Sequence, residues 1–161
     1  MSRLDWHGRL MGLARHVAGW SKDPSTKVGA VIADRHHRVL GLGYNGAPRG
    51  VADTGLEDRA RKLARTVHAE MNALLFARGP VEGATLYVWP MPPCAACAGP
   101  IIQAGIIEIY APPPGERWRE SCDHAREMFE EAGVRVRFFS VAGPAAAPIE
   151  IWHEIKLETT P

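Results

Sequence analysis

The sequence predicts an α/β domain of three layers, α/β/α, built on one mixed five-stranded sheet. Three observations lead there. An amphipathic N-terminal segment precedes two short apolar runs spaced as a hairpin; helix-like and strand-like segments then alternate to about residue 139; and the last two strand-like runs are separated by a helix. Alternation of this kind lays helices over a sheet. Strands joined through a helix lie parallel, because only a crossover returns the chain to the same end of the sheet. The last two strands are therefore predicted parallel.

Taken in order, Trp6, Leu10, Met11, Leu13, Val17 and Trp20 recur at helical spacing, predicting a helix over 5–20 with Asp5 as its N-cap. Residues 27–33 and 39–44 are apolar and partly β-branched, and the polar run 34–38 joins them as a hairpin. Gly and Pro crowd residues 45–56, a loop. One helix is predicted from there to about Arg78, stopped by Gly79-Pro80. A strand follows over 85–89, a short helix over 94–104, and a strand over 106–110. Residues 111–115, with three consecutive prolines, form a connector. Ser121 or Asp123 caps a helix that ends at Ala132-Gly133, and 134–139 is the last strand. Beyond Ser140 the composition turns to Ala, Gly and Pro. Residues 1–140 are thus predicted as one folded domain, and 141–161 as a linker and tail. Ile149, Ile151, Trp152, Ile155 and Leu157 make that tail too apolar for a pure linker, so it is expected to dock on the domain or on a neighbouring subunit.

Bulk properties narrow the function. The 161 residues are 46% apolar, ordinary for a chain with a sizeable core. A net charge of +1 supplies no global field for holding a long polyanion, which disfavours a nucleic-acid polymer as partner. A small anionic ligand needs only a local basic pocket. No stretch approaches the roughly 18 apolar residues of a membrane span, and the start carries no apolar signal core. The chain reads as cytoplasmic and without a membrane partner. Its three cysteines, two of them in C-x-x-C, suit a reducing compartment and metal binding better than disulfides.

The chemistry is concentrated in His68-Ala69-Glu70 and Pro93-Cys94-Ala95-Ala96-Cys97. One imidazole and two thiolates supply three protein ligands for a zinc ion, the number at which a catalytic site leaves its fourth position open. Cys94 and Cys97 stand three residues apart at a predicted helix start, so both sulfurs face one side of the first turn, where the helix dipole favours thiolate. Glu70 is offset two residues from His68 and is placed to move protons without binding metal. Zinc in this site would act as a Lewis acid and bring a water's pKa towards roughly 7. The pattern H-x-E…P-C-x-x-C resembles the zinc-deaminase signature, which implies replacement of C–NH2 by C=O on an amidine-like ring carbon, with release of ammonia. C-x-x-C alone also occurs in closed structural sites, for which Cys122, His124 and His153 are the further candidate ligands. The H-x-E pairing argues for the open site, with one catalytic zinc per chain.

With these motifs the chain resembles the cytidine and deoxycytidylate deaminase superfamily. The resemblance spans roughly residues 18 to 139 and extends to the Ser21-Lys22-Asp23-Pro24 and Gly43-Tyr44-Asn45-Gly46-Ala47-Pro48 segments, which point to the deoxycytidylate (dCMP) branch. It implies the cytidine-deaminase-like fold and hydrolytic deamination of a free cytosine nucleotide, dCMP to dUMP. It implies Asn45 and Gly46 at the sugar or base, Lys22 at a phosphate, Val28 and Ala69 along the base pocket, and Trp118 approaching the substrate. It also implies a homo-oligomer. Residues 87–94 run one residue longer than the family pattern, and the loop 51–56 lacks the family's Cys and Pro-Trp elements. Another aminated base or nucleoside (cytidine, a guanine-type purine, a modified base) therefore stays open as substrate, with a base in tRNA behind these. The cluster Arg59, Arg61, Lys62 and Arg65 is expected to form a solvated helix face.

Overall fold

The computed structural model describes residues 3–142 and 151–155. Its elements are α1 (Arg3–Ala18), β1 (Gly29–Ala33), β2 (Val39–Tyr44), α2 (Arg59–Arg65), α3 (Ala69–Leu75), β3 (Thr85–Trp89), α4 (Ala95–Gln103), β4 (Glu108–Ala111), α5 (Arg119–Glu131), β5 (Arg135–Ala142) and β6 (Ile151–Ile155). The predicted mixed sheet of five strands is present in the order β2-β1-β3-β4-β5, with β6 added at the β5 edge. β1 pairs antiparallel with β2 and β3, whereas β3, β4 and β5 run parallel, as expected for strands linked through α4 and α5. β6 pairs antiparallel with β5. Ile149 and Leu157 of the predicted tail lie outside the described residues.

Side-chain alternation divides the central strands between two cores. Ala30, Ile32, Leu86, Val88, Ile109 and Ala111 point to one face and pack with Ala69 and Ala73 of α3, Ile101 of α4, and Ala125 and Phe129 of α5. Val31, Ala33, Tyr87, Tyr110 and Phe139 point to the other, against Leu10, Met11 and Ala14 of α1. Burial on both faces explains why β1 reads as a continuous apolar run and not as an alternating one. On the α1 side His7 is buried, with Nδ1 2.7 Å from the Tyr87 hydroxyl and Nε2 3.2 Å from that of Tyr110.

Several boundaries depart from expectation. α1 already runs at Asp5, which lies inside the helix and does not cap it. α5 begins at Arg119, ahead of both proposed caps. The single helix expected to reach Arg78 is two helices. Thr66 and His68 are extended, with ψ of 121° and 154°, and Val67 forms a backbone bridge with Gly46. The β-branched pair Thr66-Val67 favours this geometry, and the Thr66 hydroxyl donates to the Lys62 carbonyl to close α2. α3 ends early because the Arg78 amide donates to Leu40 of β2 instead of continuing the helix.

Candidate metal centre and active site

The break between α2 and α3 builds the site. His68 occupies the N-cap position of α3 but makes no capping bond; its ring is turned away to the start of α4. Cys94 holds the equivalent place on α4, again without a side-chain cap, while its carbonyl accepts from the Cys97 and Ala98 amides. His68 Nδ1 lies 3.4 Å from Cys94 Sγ and 3.3 Å from Cys97 Sγ. A tetrahedral zinc with ordinary Zn–N and Zn–S bonds has N···S edges of roughly 3.5 Å, close to both separations found here. Two sulfurs and an imidazole are also the chemistry zinc prefers. Among the described residues this is the one cluster of metal-ligating side chains, with all ligand atoms within 4.8 Å of one another.

The electrostatics agree. The Cys94 sulfur receives hydrogen bonds from the Cys97 thiol and the His68 ring, which hold it far below the ordinary thiol range despite its burial. Cys97, donating to that thiolate from a buried position, is pushed in the opposite direction. His68 is raised, chiefly by its contact with Cys94. Glu70, in the first turn of α3, is 4% exposed, and burial pushes its carboxyl up to about 7. Cys122 takes no part in the cluster. It is buried on α5, its thiol faces the Pro92 carbonyl at 3.5 Å, and burial raises it to about 11. Cys94→Ala or Cys97→Ala is accordingly expected to abolish zinc binding, whereas Cys122→Ala should retain one ion per chain, both read by metal analysis of purified protein.

A cleft leads from these residues to solvent. Its cavity volume of about 110 Å³ is several times what one water requires. Of the candidates read from sequence, His68, Glu70, Cys94, Val28, Asn45, Ala69 and Trp118 line it; Cys97 lies behind the wall, and Lys22 and Gly46 do not line it. Lys22 points away because Asp23, its neighbour, turns inward. The Lys22 side chain is 73% exposed and pairs with Asp53 at 2.7 Å. Gly46 contributes backbone instead, bonding to Val67. Asn45 is buried and organises the wall: its Oδ1 accepts from the Val28 amide at 2.8 Å, and its Nδ2 donates to the Thr26 carbonyl at 2.9 Å.

Sequence reasoning missed Asp23 and Lys62. The basic cluster was expected to be solvated, but Lys62 is 7% exposed and pairs with Asp23 at 2.9 Å inside the cleft. The signal available was spacing: Arg59, Lys62, Leu63 and Thr66 recur at i, i+3, i+4 and i+7, one stripe of a helix, and all four line the cleft. Burial alone would raise the Asp23 carboxyl. The Thr26 amide, Lys62 and Ser25 outweigh it and hold the group at about 2. A carboxylate so depressed from its ordinary 3.8 stabilises the fold by about 2 kcal/mol above pH 4, a contribution lost as pH falls towards 2. Asp23→Asn should therefore cost about 2 kcal/mol or more at pH 7 and less at pH 3, measured by urea unfolding at each pH.

Fold and site together define a zinc-dependent hydrolytic deaminase. The family model of the cytidine and deoxycytidylate deaminase zinc-binding region matches residues 4–112, and the chain belongs to that family. It is 44% identical over 136 residues to an uncharacterized deaminase in the luxG 3' region of Aliivibrio fischeri, covering 81% of this chain and 91% of that one. It is 37% identical over 145 residues to mouse deoxycytidylate deaminase, covering 85% and 81%. The solved dCMP deaminase of cyanophage S-TIM5, in complex with dCMP and dUMP, superposes with a TM-score of 0.71 at 26% identity over 84% of this chain and 98% of that one.

Proposed function

We propose that the protein deaminates a free cytosine nucleotide, dCMP to dUMP. The observation that carries the chemistry is the buried Glu70 carboxyl beside the His68, Cys94 and Cys97 cluster at the floor of a cleft. The likeness to enzymes named for dCMP supports the substrate. His68, Cys94 and Cys97 would hold a zinc ion, which would supply Lewis acidity to the attacking water. Glu70 takes a proton from the attacking water as the C4–O bond forms and passes it to the ring nitrogen. The water's second proton goes to the exocyclic amine, the C4–N bond breaks, and ammonia leaves a carbonyl behind. Burial pushes this carboxyl up from the ordinary carboxylate range, the direction that lets it hold a proton between the two transfers.

Ammonia release from dCMP, CMP, deoxycytidine, cytosine, guanine and adenosine, compared on the zinc-loaded protein, tests the assignment. dCMP should give the highest kcat/KM; a nucleoside or free base outrunning it would overturn the substrate. Association between copies is supported by exposed apolar side chains at the end of α3, Leu75 and Phe76. A reducing, cytoplasmic setting is supported by the unpaired state of all three cysteines. No helix among the described residues is long and apolar enough to cross a membrane.

A further inference from the structure

The cleft has a charge pattern that the deamination chemistry does not use. Lys62 and Asp23 neutralise one another in its wall, and Asp23 is further satisfied by Ser25 and Thr26. Two more cations line the same cleft, Arg59 on α2 and Arg117 in the 3-10 turn Glu116–Trp118 that precedes α5. Both are exposed, and no carboxylate among the described residues pairs with either. The Arg117 guanidinium lies 5.0 Å from the Trp118 ring centroid, a contact that orients it at the rim. Arg59 begins the helix whose far end delivers Thr66 and His68. At 1.5 Å per residue it stands about 10 Å along the axis from Thr66, which leaves room for a ring and a sugar between this end and the metal ligands.

We propose that Arg59 and Arg117 form a phosphate-monoester subsite, floored by the Lys62–Asp23 pair, and that this subsite, not Lys22, selects a nucleotide over a nucleoside. The proposal rests on the deaminase reading above and adds the residues that set its substrate class. Phosphate carries a charge near −2 and several acceptor oxygens, which two guanidinium forks match in charge and geometry. Lys22 is poorly placed for the same task, being paired with Asp53 outside the cleft. The internal Lys62–Asp23 pair adds no net charge, so the two arginines set the potential of this end.

The test compares kcat/KM for dCMP and deoxycytidine in zinc-loaded wild type, Arg59→Gln, Arg117→Gln, Lys22→Gln and Arg65→Gln, the last an exposed arginine of the same helix outside the cleft. Each cleft variant should lower the dCMP-to-deoxycytidine ratio by between about tenfold and a hundredfold, the range for a lost charge-assisted bond, and should do so mainly through KM for dCMP. Lys22→Gln and Arg65→Gln should leave the ratio in place. Equal losses on both substrates in the arginine variants, or a loss reproduced by Lys22→Gln, would overturn the proposal. If wild type turns over neither compound, the substrate reading fails separately. Calorimetric binding of dUMP then decides the subsite: affinity that falls in the Arg59→Gln/Arg117→Gln double variant supports it, and unchanged or absent affinity refutes it.

Discussion

Glu70→Gln is expected to leave zinc content and fold intact while lowering kcat by about 10³- to 10⁴-fold, the upper range for removal of a positioned acid–base group. Glutamine has nearly the shape of glutamate and can hold the same place in the first turn of α3, but it cannot exchange a proton with water, ring nitrogen or leaving amine. The substitution also has a stability signature. In the folded chain burial raises this carboxyl from its ordinary 4.5 to about 7. A raised carboxyl destabilises the fold once the unfolded chain ionises, so the cost grows from pH 4.5 to about pH 7 and then levels at about 3 kcal/mol. The metal-free Glu70→Gln protein should thus melt higher than metal-free wild type at pH 8 and equal to it near pH 4, by calorimetry at both pH values. Lost turnover together with gained stability identifies a group retained for chemistry. Retained ammonia release would remove Glu70 from the mechanism.

The parts of this site that were legible in the sequence are those whose logic is local. Cys94 and Cys97 share a helical turn, and His68 and Glu70 stand two residues apart in one short motif whatever the rest of the chain does. What stayed hidden was decided by distant partners. The apolar pattern through Leu63, Val67 and Met71 is continuous enough to read as one helix. The bridge from Val67 to Gly46 breaks it, and without that break His68 would not reach the cysteines. Lys62 reads as surface until Asp23, far away in sequence, is placed against it. Lys22 and Asp23 are neighbours with similar prospects on paper, and only the turn of the loop decides which enters the cleft. The sixth strand was beyond reach for a similar reason, since β6 is defined by its pairing with β5, while the Ala, Gly and Pro composition after Ser140 reads as linker.

Gly43→Ala is expected to damage fold and metal site together. Gly41 and Gly43 lie on the side of β2 that faces α3, and the helix rests directly on their backbone. A Cβ at Gly43 would stand 2.2 Å from the Ala69 carbonyl oxygen and 2.3 Å from the Ala73 amide; at Gly41 it would stand 2.4 Å from the Ala73 carbonyl oxygen. These are main-chain atoms, so no side chain can swing aside and the helix itself must move. Overpacking of this severity costs about 3 kcal/mol or more, and at this chain length each 1 kcal/mol lowers Tm by roughly 2–4 °C. Because Ala69 adjoins His68 and Glu70, the displacement is delivered to the metal ligand and the proton carrier. Two comparisons make the claim specific. Gly29→Ala clashes equally hard, 2.1 Å from the Ala14 carbonyl oxygen, but with α1 on the opposite face; it should lower Tm with a smaller loss of zinc affinity per degree than Gly43→Ala. Gly46→Ala meets nothing within 4 Å and should shift stability by less than about 0.5 kcal/mol. Thermal melts paired with zinc titrations of the three variants separate these outcomes. Normal zinc affinity and Tm in Gly43→Ala would show that α3 is not seated on β2 in this way.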